Sequence, residues 1–141
     1  NTKDSIGVFF LKLLNISTAI ITSENTNIVK RRAEKLKIKD CYLGALNKVD
    51  ICLKLCKKYN LEMKNIAYIG DEINDLNLIK LVGLSACPSD AANYVKDEVD
   101  WILKKKGGNG VFREFAIKYI SSINKYEHTL KLANEYYKNE K

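Results

Sequence analysis

Residues 66–82 place three carboxylates where a short apolar run meets an amphipathic helical pattern. The run Ile66–Ile69 is β-prone, Gly70 permits a tight turn, and apolar residues recur at helical spacing from Asp75 to Val82. The carboxylates belong to Asp71, Glu72 and Asp75. Because the carboxyl ends of strands form the ligand-binding edge of an open α/β sheet, this pattern predicts a magnesium site at a strand-to-helix turn. An acidic first turn that favours the helix macrodipole is the alternative interpretation.

The rest of the chain repeats this alternation of short apolar runs and helical patterns. We predict strands at Thr18–Ile21, Tyr42–Leu43, Ile66–Ile69, Leu84–Ala86 and Trp101–Leu103. We predict helices at Asp4–Leu14, Thr26–Leu36, Asn47–Tyr59, Asp75–Val82 and Ala91–Val95, and one long helix after Gly110 with an interruption near Ser121-Ser122. Such alternation is typical of β-α units, so the predicted fold class is α/β, a three-layer Rossmann-like parallel sheet with helices on both faces.

The composition fits a single domain over residues 1–141 and argues against several functional classes. With 46% hydrophobic and 29% charged residues, the chain can bury a core. No apolar stretch reaches the length of a membrane span and the start lacks a signal-peptide pattern, so we expect a cytoplasmic protein with no membrane partner. The net charge of +7 comes largely from lysines spread along helices, which favours a solvated surface over a nucleic-acid interface.

Three predicted strands end in groups that suit phosphate chemistry. Thr22-Ser23 offers hydroxyls after the first strand, Lys48 offers an ammonium group near the start of a helix, and Asp71 offers a carboxylate. Together they form an electrostatic clamp for phosphoryl transfer, a reaction that depends on positioning and charge neutralisation. Taken singly, a helix cap and a surface lysine explain the first two equally well.

Four segments of the chain resemble a known family. They are Ala19–Ser23, Tyr68–Leu76, Val82–Ala91 and Gly107–Glu114, and they occur in the order that the family requires. The chain resembles the haloacid dehalogenase superfamily of phosphatases from Asn1 to about Phe115. Within it, the likeness is to the capless 3-deoxy-manno-octulosonate 8-phosphate phosphatases and their nonulosonate (sialic acid type) 9-phosphate relatives.

The resemblance implies a role for each matching residue. Thr22 would bind the transferring phosphoryl group, Lys48 would stabilise it, and Asp71 would hold Mg²⁺ with support from Glu72 and Asp75. The substrate would be a phosphorylated keto-sugar acid, and the active site would lie between subunits of a homotetramer. The same module also occurs as the C-terminal part of some acylneuraminate cytidylyltransferases.

The sequence departs from the family at the nucleophile. Family members carry an Asp-x-Asp pair on a first, central strand that is followed by a β-hairpin, and the likeness here begins after those elements. A parallel sheet with a gap at its centre would leave backbone groups unpaired, at a cost of about 1–3 kcal/mol each. We therefore expect the chain to be a piece of a longer protein whose nucleophile lies upstream of Asn1. A partner chain or a rearranged sheet that fills the gap is the alternative.

Two further positions bear on the substrate. Glu24 follows Thr22-Ser23 where octulosonate phosphatases typically carry arginine, and Lys35 lies eleven residues further on. Together with Ser23, this pair is predicted to bind substrate and resembles the branch that acts on nine-carbon sugars, although ordinary surface charges explain it as well. Asn109 also replaces an arginine that is frequent in relatives.

Two functions remain open on this basis. The first is a magnesium-dependent phosphatase that works through an aspartyl-phosphate. The second is a non-catalytic oligomerisation module of an acylneuraminate cytidylyltransferase. Because a metal ion cannot replace a covalent nucleophile, we expect the 141-residue chain by itself to show no turnover.

Overall fold

The computed structural model describes residues 2–139 and alternates helices with short strands, as the sequence pattern predicts. The helices are α1 (Thr2–Leu13), α2 (Asn27–Lys35), α3 (Lys48–Tyr59), α4 (Leu76–Leu81), α5 (Asn93–Lys96), α6 (Val111–Ser122) and α7 (Tyr126–Asn139). The strands are β1 (Ala19–Ile21), β2 (Asp40–Tyr42), β3 (Ala67–Ile69), β4 (Leu84–Cys87) and β5 (Trp101–Ile102). Short 3-10 helices at Met63–Asn65 and Ile73–Asp75 precede β3 and α4.

Local signals account for where the helices begin and end. The side chains of Thr26 and Asn47 accept backbone N–H groups at the starts of α2 and α3. Asn60 ends α3 in the left-handed conformation, which asparagine tolerates better than most residues. The predicted interruption of the last helix is confirmed, because α6 ends at Ser122 and Asn124 has a φ of 58° before α7 begins.

The strands form two separate parallel sheets. Strand β1 pairs with β2, while β3, β4 and β5 form a separate sheet in that order. The α/β class is therefore confirmed, but the described residues make no ladder between β1 and β3.

Strand β1 has one edge that does not pair with β2, and the backbone N–H and C=O groups of every second residue point towards that edge. The N–H of Thr22 donates to Tyr42 and the C=O of Thr22 accepts from Ala45, so Thr22 is turned towards β2. Because successive residues of a strand point their backbone groups to opposite sides, those of Ala19 and Ile21 face away from β2.

Strand β3 has a matching edge. The N–H of Gly70 donates to the C=O of Ala86, so the backbone groups of Ala67 and Ile69 face away from β4 by the same alternation. Ala67 is solvent-exposed, unlike the buried residues of β4. Within the described residues, each sheet therefore has an unpaired edge, formed by β1 in one sheet and by β3 in the other. Both strands end at a cleft that is described below.

Helix α3 packs against both sheets on one face. Its Cys52 and Cys56 lie in a cluster with Leu78, against which Ile21 of β1 and Tyr68 of β3 pack. On the other side, α1 packs chiefly on α6, with Leu11, Ala116 and Ile120 at the centre of the contact. None of the helices between residues 2 and 139 has the length and apolar composition needed to cross a membrane.

Helix α7 packs against α1 through aromatic side chains. Phe9 of α1 lies 5.1 Å from Tyr136 and 5.7 Å from Tyr137 between ring centroids. Ala133 and Thr129 of α7 are buried within the chain. Contacts inside the chain therefore bury several of these groups, while Tyr137 stays largely exposed.

Candidate active site

A cleft lies at the carboxyl ends of β1 and β3. Its lining residues come from the ends of strands, the start of α3 and the loop before α6: Ile21, Thr22, Lys48, Tyr68, Ile69, Gly70, Asp71, Asp75, Pro88, Gly107, Gly108 and Val111. Thr22, Lys48 and Asp71, which the sequence separates by more than twenty residues each, are thus brought together. This is the ligand-binding edge expected for an open α/β sheet.

Hydrogen bonds of its backbone and of its side chain hold Thr22 in place. Its N–H and C=O bond to the segment after β2, and its Oγ1 accepts the N–H of Glu24 at 3.1 Å. A hydroxyl that already accepts one hydrogen bond still has its own proton to donate. Thr22 can therefore donate to an anion in the cleft.

Lys48 is the first residue of α3, and its ammonium group is buried. Its Nζ lies 2.8 Å from Oδ1 of Asp75, and only 8% of the residue is exposed. Asn47 caps the helix by accepting the N–H of Asp50, which fixes the backbone from which Lys48 projects. A buried lysine is tolerated when a carboxylate pairs with it, and that condition is met here.

Asp75 accepts hydrogen bonds on both of its carboxylate oxygens and is 2% exposed. Oδ1 accepts from Lys48 and from the hydroxyl of Tyr68, at 2.8 and 2.5 Å. Oδ2 accepts the backbone N–H groups of Asp71 and Glu72, at 2.9 and 3.1 Å. Burial raises the pKa of Asp75, but these hydrogen bonds outweigh it and hold the pKa below its usual range.

Gly70 makes this arrangement possible. A Cβ at Gly70 would lie 2.6 Å from Cβ of Asp75 and 2.8 Å from its Cγ, which is inside the contact distance of carbon atoms. Any other residue there would displace the carboxylate. The glycine before the acidic turn is therefore required for close approach, not for a positive φ.

Asp71 presents a carboxylate that makes no side-chain hydrogen bond within residues 2–139. It is exposed at the cleft, and partial burial together with the charges of Asp75 and Glu72 raises its pKa. A divalent cation would relieve that repulsion, and a carboxylate oxygen is a ligand that Mg²⁺ prefers. The residues fit a metal at Asp71, although the described part of the chain has no group of three or more His, Cys, Asp or Glu side chains that would hold one alone.

Glu72 is engaged away from the cleft. Its Oε1 accepts the hydroxyl of Tyr94 at 2.9 Å and caps the 3-10 helix through the N–H of Ile73. The side chain is exposed and is not among the cleft-lining residues. Its supporting role at the metal stays a prediction.

The predicted substrate-binding residues are less closely gathered. Ser23 is exposed, and its Oγ accepts a 3.5 Å hydrogen bond from Asn74, which links the turns after β1 and β3. Glu24 lies in the same turn and Lys35 ends α2, about 13 Å along the helix from its start. Neither lines the cleft, so the pairing of Glu24 with Lys35 at the substrate also stays a prediction.

The loop before α6 closes one side of the cleft and is fixed by two carboxylates. Asp90 accepts the N–H of Gly107 at 2.9 Å, and Glu114 accepts the N–H groups of Lys104 and Lys105 at 2.8 Å each. Gly108, with a φ of 80°, lines the cleft. The two carboxylates therefore anchor the start of this loop.

Sequence reasoning assigned no role to Tyr68, although it lines the cleft and bonds to Asp75. A signal was present, since a tyrosine in an otherwise aliphatic strand needs a partner for its hydroxyl. Burial and the hydrogen bond to Asp75 raise the pKa of Tyr68 far above its usual value, so the phenol remains protonated and donates.

The sequence profile of the haloacid dehalogenase-like hydrolases matches residues 12–115. This range includes every cleft residue named above. The chain belongs to this family. Every cleft residue except Lys48 lies in one of the four segments on which the resemblance depends.

Individual relatives point to one branch of the family. The 3-deoxy-D-manno-octulosonate 8-phosphate phosphatase of Haemophilus influenzae is 35% identical over 116 residues, which cover 82% of this chain and 64% of that protein. The chain therefore spans less than two thirds of the length of this relative.

Solved structures agree with the fold. The cobalt-bound phosphatase of the same name from Haemophilus influenzae has a TM-score of 0.85 at 33% identity, covering 89% of this chain and 74% of that one. The Moraxella catarrhalis phosphatase, in complex with magnesium, phosphate and KDO, has a TM-score of 0.87 at 30% identity, covering 92% of this chain and 75% of that one. Both similar proteins are bound to a divalent metal.

Proposed function

We propose that this chain supplies most of the active site of a magnesium-dependent phosphatase that acts on a phosphorylated keto-sugar acid. The observation that supports it is the convergence of Thr22, Lys48 and Asp71 on one cleft. The relatives favour 3-deoxy-manno-octulosonate 8-phosphate as the substrate. A nonulosonate 9-phosphate is the second candidate substrate, because Glu24 and Lys35 resemble the residues of the branch that acts on nine-carbon sugars.

Each cleft residue has a defined task in this reaction. Thr22 donates its hydroxyl to a phosphoryl oxygen, and Lys48, held by Asp75, neutralises the charge that develops on the transferring group. Asp71 is the metal ligand of this chain, and a bound Mg²⁺ would supply Lewis-acid stabilisation of the phosphoryl oxygens. These tasks need fixed positions, which the backbone contacts of Thr22 and the buried pair of Lys48 provide.

The nucleophile belongs to a strand that lies between β1 and β3. The backbone groups of Ala19 and Ile21 on one edge, and of Ala67 and Ile69 on the other, face away from their own sheets and suit a parallel strand inserted between them. Such a strand would end at the cleft, which Ile21 and Ile69 both line. An Asp-x-Asp pair at its end would lie beside Asp71 and complete the metal site.

The chemistry then runs through two displacements. A carboxylate of the inserted strand attacks phosphorus, the P–O bond to the sugar breaks, and the second aspartate donates a proton to the leaving hydroxyl. Water then gives a proton back to the second aspartate and attacks phosphorus, the bond between phosphorus and the aspartyl oxygen breaks, and inorganic phosphate leaves with the nucleophilic carboxylate regenerated. The described chain supplies the charge stabilisation for both steps, and the strand supplies the covalent partner.

Phosphate release from 3-deoxy-manno-octulosonate 8-phosphate tests the proposal. We expect none from residues 1–141 alone and magnesium-dependent release once the chain is joined to an N-terminal segment that supplies a strand with an Asp-x-Asp pair. In the joined protein, Asp71→Asn should lower kcat/KM at least about 100-fold. The matched control is Asp97→Asn, because Asp97 is an exposed carboxylate at the end of α5 and should leave the rate unchanged.

Three outcomes would contradict parts of the proposal. Release by residues 1–141 alone would remove the need for an added nucleophile. An unchanged rate in Asp71→Asn would remove Asp71 from the site. A joined protein that carries the strand but shows no release from eight- or nine-carbon phosphates would favour the non-catalytic oligomerisation module.

A further inference from the structure

Tyr68 and Lys48 share one oxygen of Asp75. The hydroxyl of Tyr68 lies 2.5 Å from Oδ1 and the ammonium nitrogen of Lys48 lies 2.8 Å from the same atom. Oδ2 of Asp75 accepts the backbone N–H groups of Asp71 and Glu72. The carboxylate of Asp75 therefore fixes the ammonium group of Lys48, which would bind phosphate, and the backbone of Asp71, which would bind the metal.

The orientation of that carboxylate decides where both groups lie. Rotation about the bond between Cβ and Cγ of Asp75 would move Oδ1 away from Lys48 and Oδ2 away from the amides of the turn. Lys48 could then pair with both oxygens, which would draw its remaining protons away from the cleft. The Tyr68 hydroxyl opposes this rotation because it approaches Oδ1 from a rigid strand residue.

Packing alone does not explain the hydroxyl. Tyr68 packs against the cluster that contains Cys52, Cys56 and Leu78 and against the cluster that contains Ile79, and a phenylalanine ring would also do so. What only tyrosine adds is the hydrogen bond to Asp75, made at the wall of the cleft.

We propose that Tyr68 is a positioning residue, which holds the Asp75 carboxylate in the orientation that presents Lys48 and Asp71 to a phosphorylated ligand and its metal. The inference rests on the proposed function for the identity of the ligand. The internal geometry that it describes can be measured without turnover. The hydroxyl of Tyr68 donates to Asp75, so its effect on Lys48 and Asp71 passes through that carboxylate.

The test uses the 141-residue chain and compares Tyr68→Phe with Tyr59→Phe. Tyr59 is the matched control because its hydroxyl donates to the carboxylate of Asp40, which also accepts from Lys58. This contact lies at the other end of α3. In a ¹⁵N–¹H NMR spectrum, Tyr68→Phe should shift the amide signals of Asp71 and Glu72, and Tyr59→Phe should leave them in place. Unmoved signals in a folded Tyr68→Phe chain would overturn the proposal.

A second measurement needs no variant. In the wild-type chain, the hydroxyl proton of Tyr68 should exchange with solvent slowly enough to give a resolved NMR signal, because it is donated to the buried carboxylate of Asp75. Rapid exchange of that proton would contradict a fixed bond to Asp75, even if Tyr68→Phe failed to fold.

Ligand binding and turnover separate this inference from the proposed function. With Mn²⁺ alone as a probe, Tyr68→Phe should weaken binding about 5- to 10-fold and Tyr59→Phe should not. In the joined protein, Tyr68→Phe should lower kcat about 10-fold with KM nearly unchanged. If wild-type protein releases no phosphate, the proposed function fails while the NMR result still decides the role of Tyr68.

Discussion

A lysine, a tyrosine and an aspartate are in contact at each end of helix α3, but their exposure to solvent differs. At its start, Lys48 and Tyr68 donate to Asp75, and at its end, Lys58 and Tyr59 donate to Asp40. Both aspartates are buried, but Lys48 is 8% exposed whereas the Lys58 side chain is 55% exposed. The chemistry of the contact is thus shared, while access to water differs.

This difference separates a structural tie from a candidate catalytic group. The pair at the end of α3 fastens the helix to the first residue of β2, and solvent screens its lysine. The pair at the start sits where the strands end, and its aspartate also accepts two backbone amides of the acidic turn. A buried cation beside a cleft is expensive to maintain and is therefore the better functional candidate.

Replacement of Asp75 should give the largest effect. Asp75→Ala leaves a buried lysine without a partner and two backbone amides without an acceptor, so we expect the free energy of unfolding to fall by about 3–5 kcal/mol. Urea denaturation measures it. The double variant Lys48→Met with Asp75→Leu should recover most of the loss, because it removes both charges. If Asp75→Ala cost no more than the corresponding change at Asp40, the two ends of α3 would be equivalent.

Gly70→Ala should disturb the contacts among Lys48, Tyr68 and Asp75 without replacing any of these three residues. Its Cβ would overlap Asp75, so we expect a loss of about 1–3 kcal/mol in the free energy of unfolding. Gly107→Ala is the control, because the nearest atom to its Cβ would be 3.7 Å away, and it should change stability by less than about 0.5 kcal/mol. Equal costs at the two glycines would mean that Asp75 can move freely.

Asp40→Ala should have a smaller effect than Asp75→Ala. It removes the carboxylate that joins α3 to β2, and we expect a loss of about 1–2 kcal/mol because the groups left behind can reach water. Thermal or urea unfolding measures the change. We expect Mn²⁺ binding at the cleft to be unaffected, and weakened binding would show that the two ends of α3 are coupled.

The smallest expected effect is a dependence on pH. Burial raises the pKa of Asp40, but the hydrogen bonds from Lys58 and Tyr59 outweigh it and leave the pKa below its usual value. A carboxyl group with a lowered pKa stabilises the fold above its unfolded pKa, and this contribution is lost as the pH falls through the folded pKa.

Wild type should therefore lose about 0.5–1 kcal/mol more than Asp40→Asn between about pH 6 and about pH 3, as measured by unfolding at several pH values. Parallel pH profiles for the two proteins would show that Asp40 contributes no charge-dependent stability.

Much of the fold could be predicted from local patterns. Hydrophobic periodicity located the helices and strands to within a few residues, since it records which face of each element is buried. The same patterns predicted that Thr22, Lys48 and Asp71 lie at one edge of a parallel sheet, because Thr22 and Asp71 closely follow apolar strands and Lys48 begins the helix after β2. The match of residues 12–115 to the haloacid dehalogenase-like hydrolases confirmed the family resemblance.

Contacts between distant segments could not be predicted in this way. Nothing near Tyr68 in the sequence indicates that its hydroxyl shares Oδ1 of Asp75 with Lys48, because the lysine is on another helix. Equally, the sequence pattern does not tell Lys58 from Lys48, although one is exposed and the other buried. Burial depends on what packs over a residue, and a local pattern contains no record of it.

The sequence by itself determined the α/β class, the order of its elements and which residues end at the ligand-binding edge, because these follow from periodicity and turn residues. The tertiary structure decided that the strands form two sheets with facing edges, and that Asp75 holds Lys48 and the acidic turn while Asp71 faces the cleft. The physical reason is that backbone pairing and the solvation of charges depend on groups far apart in the chain.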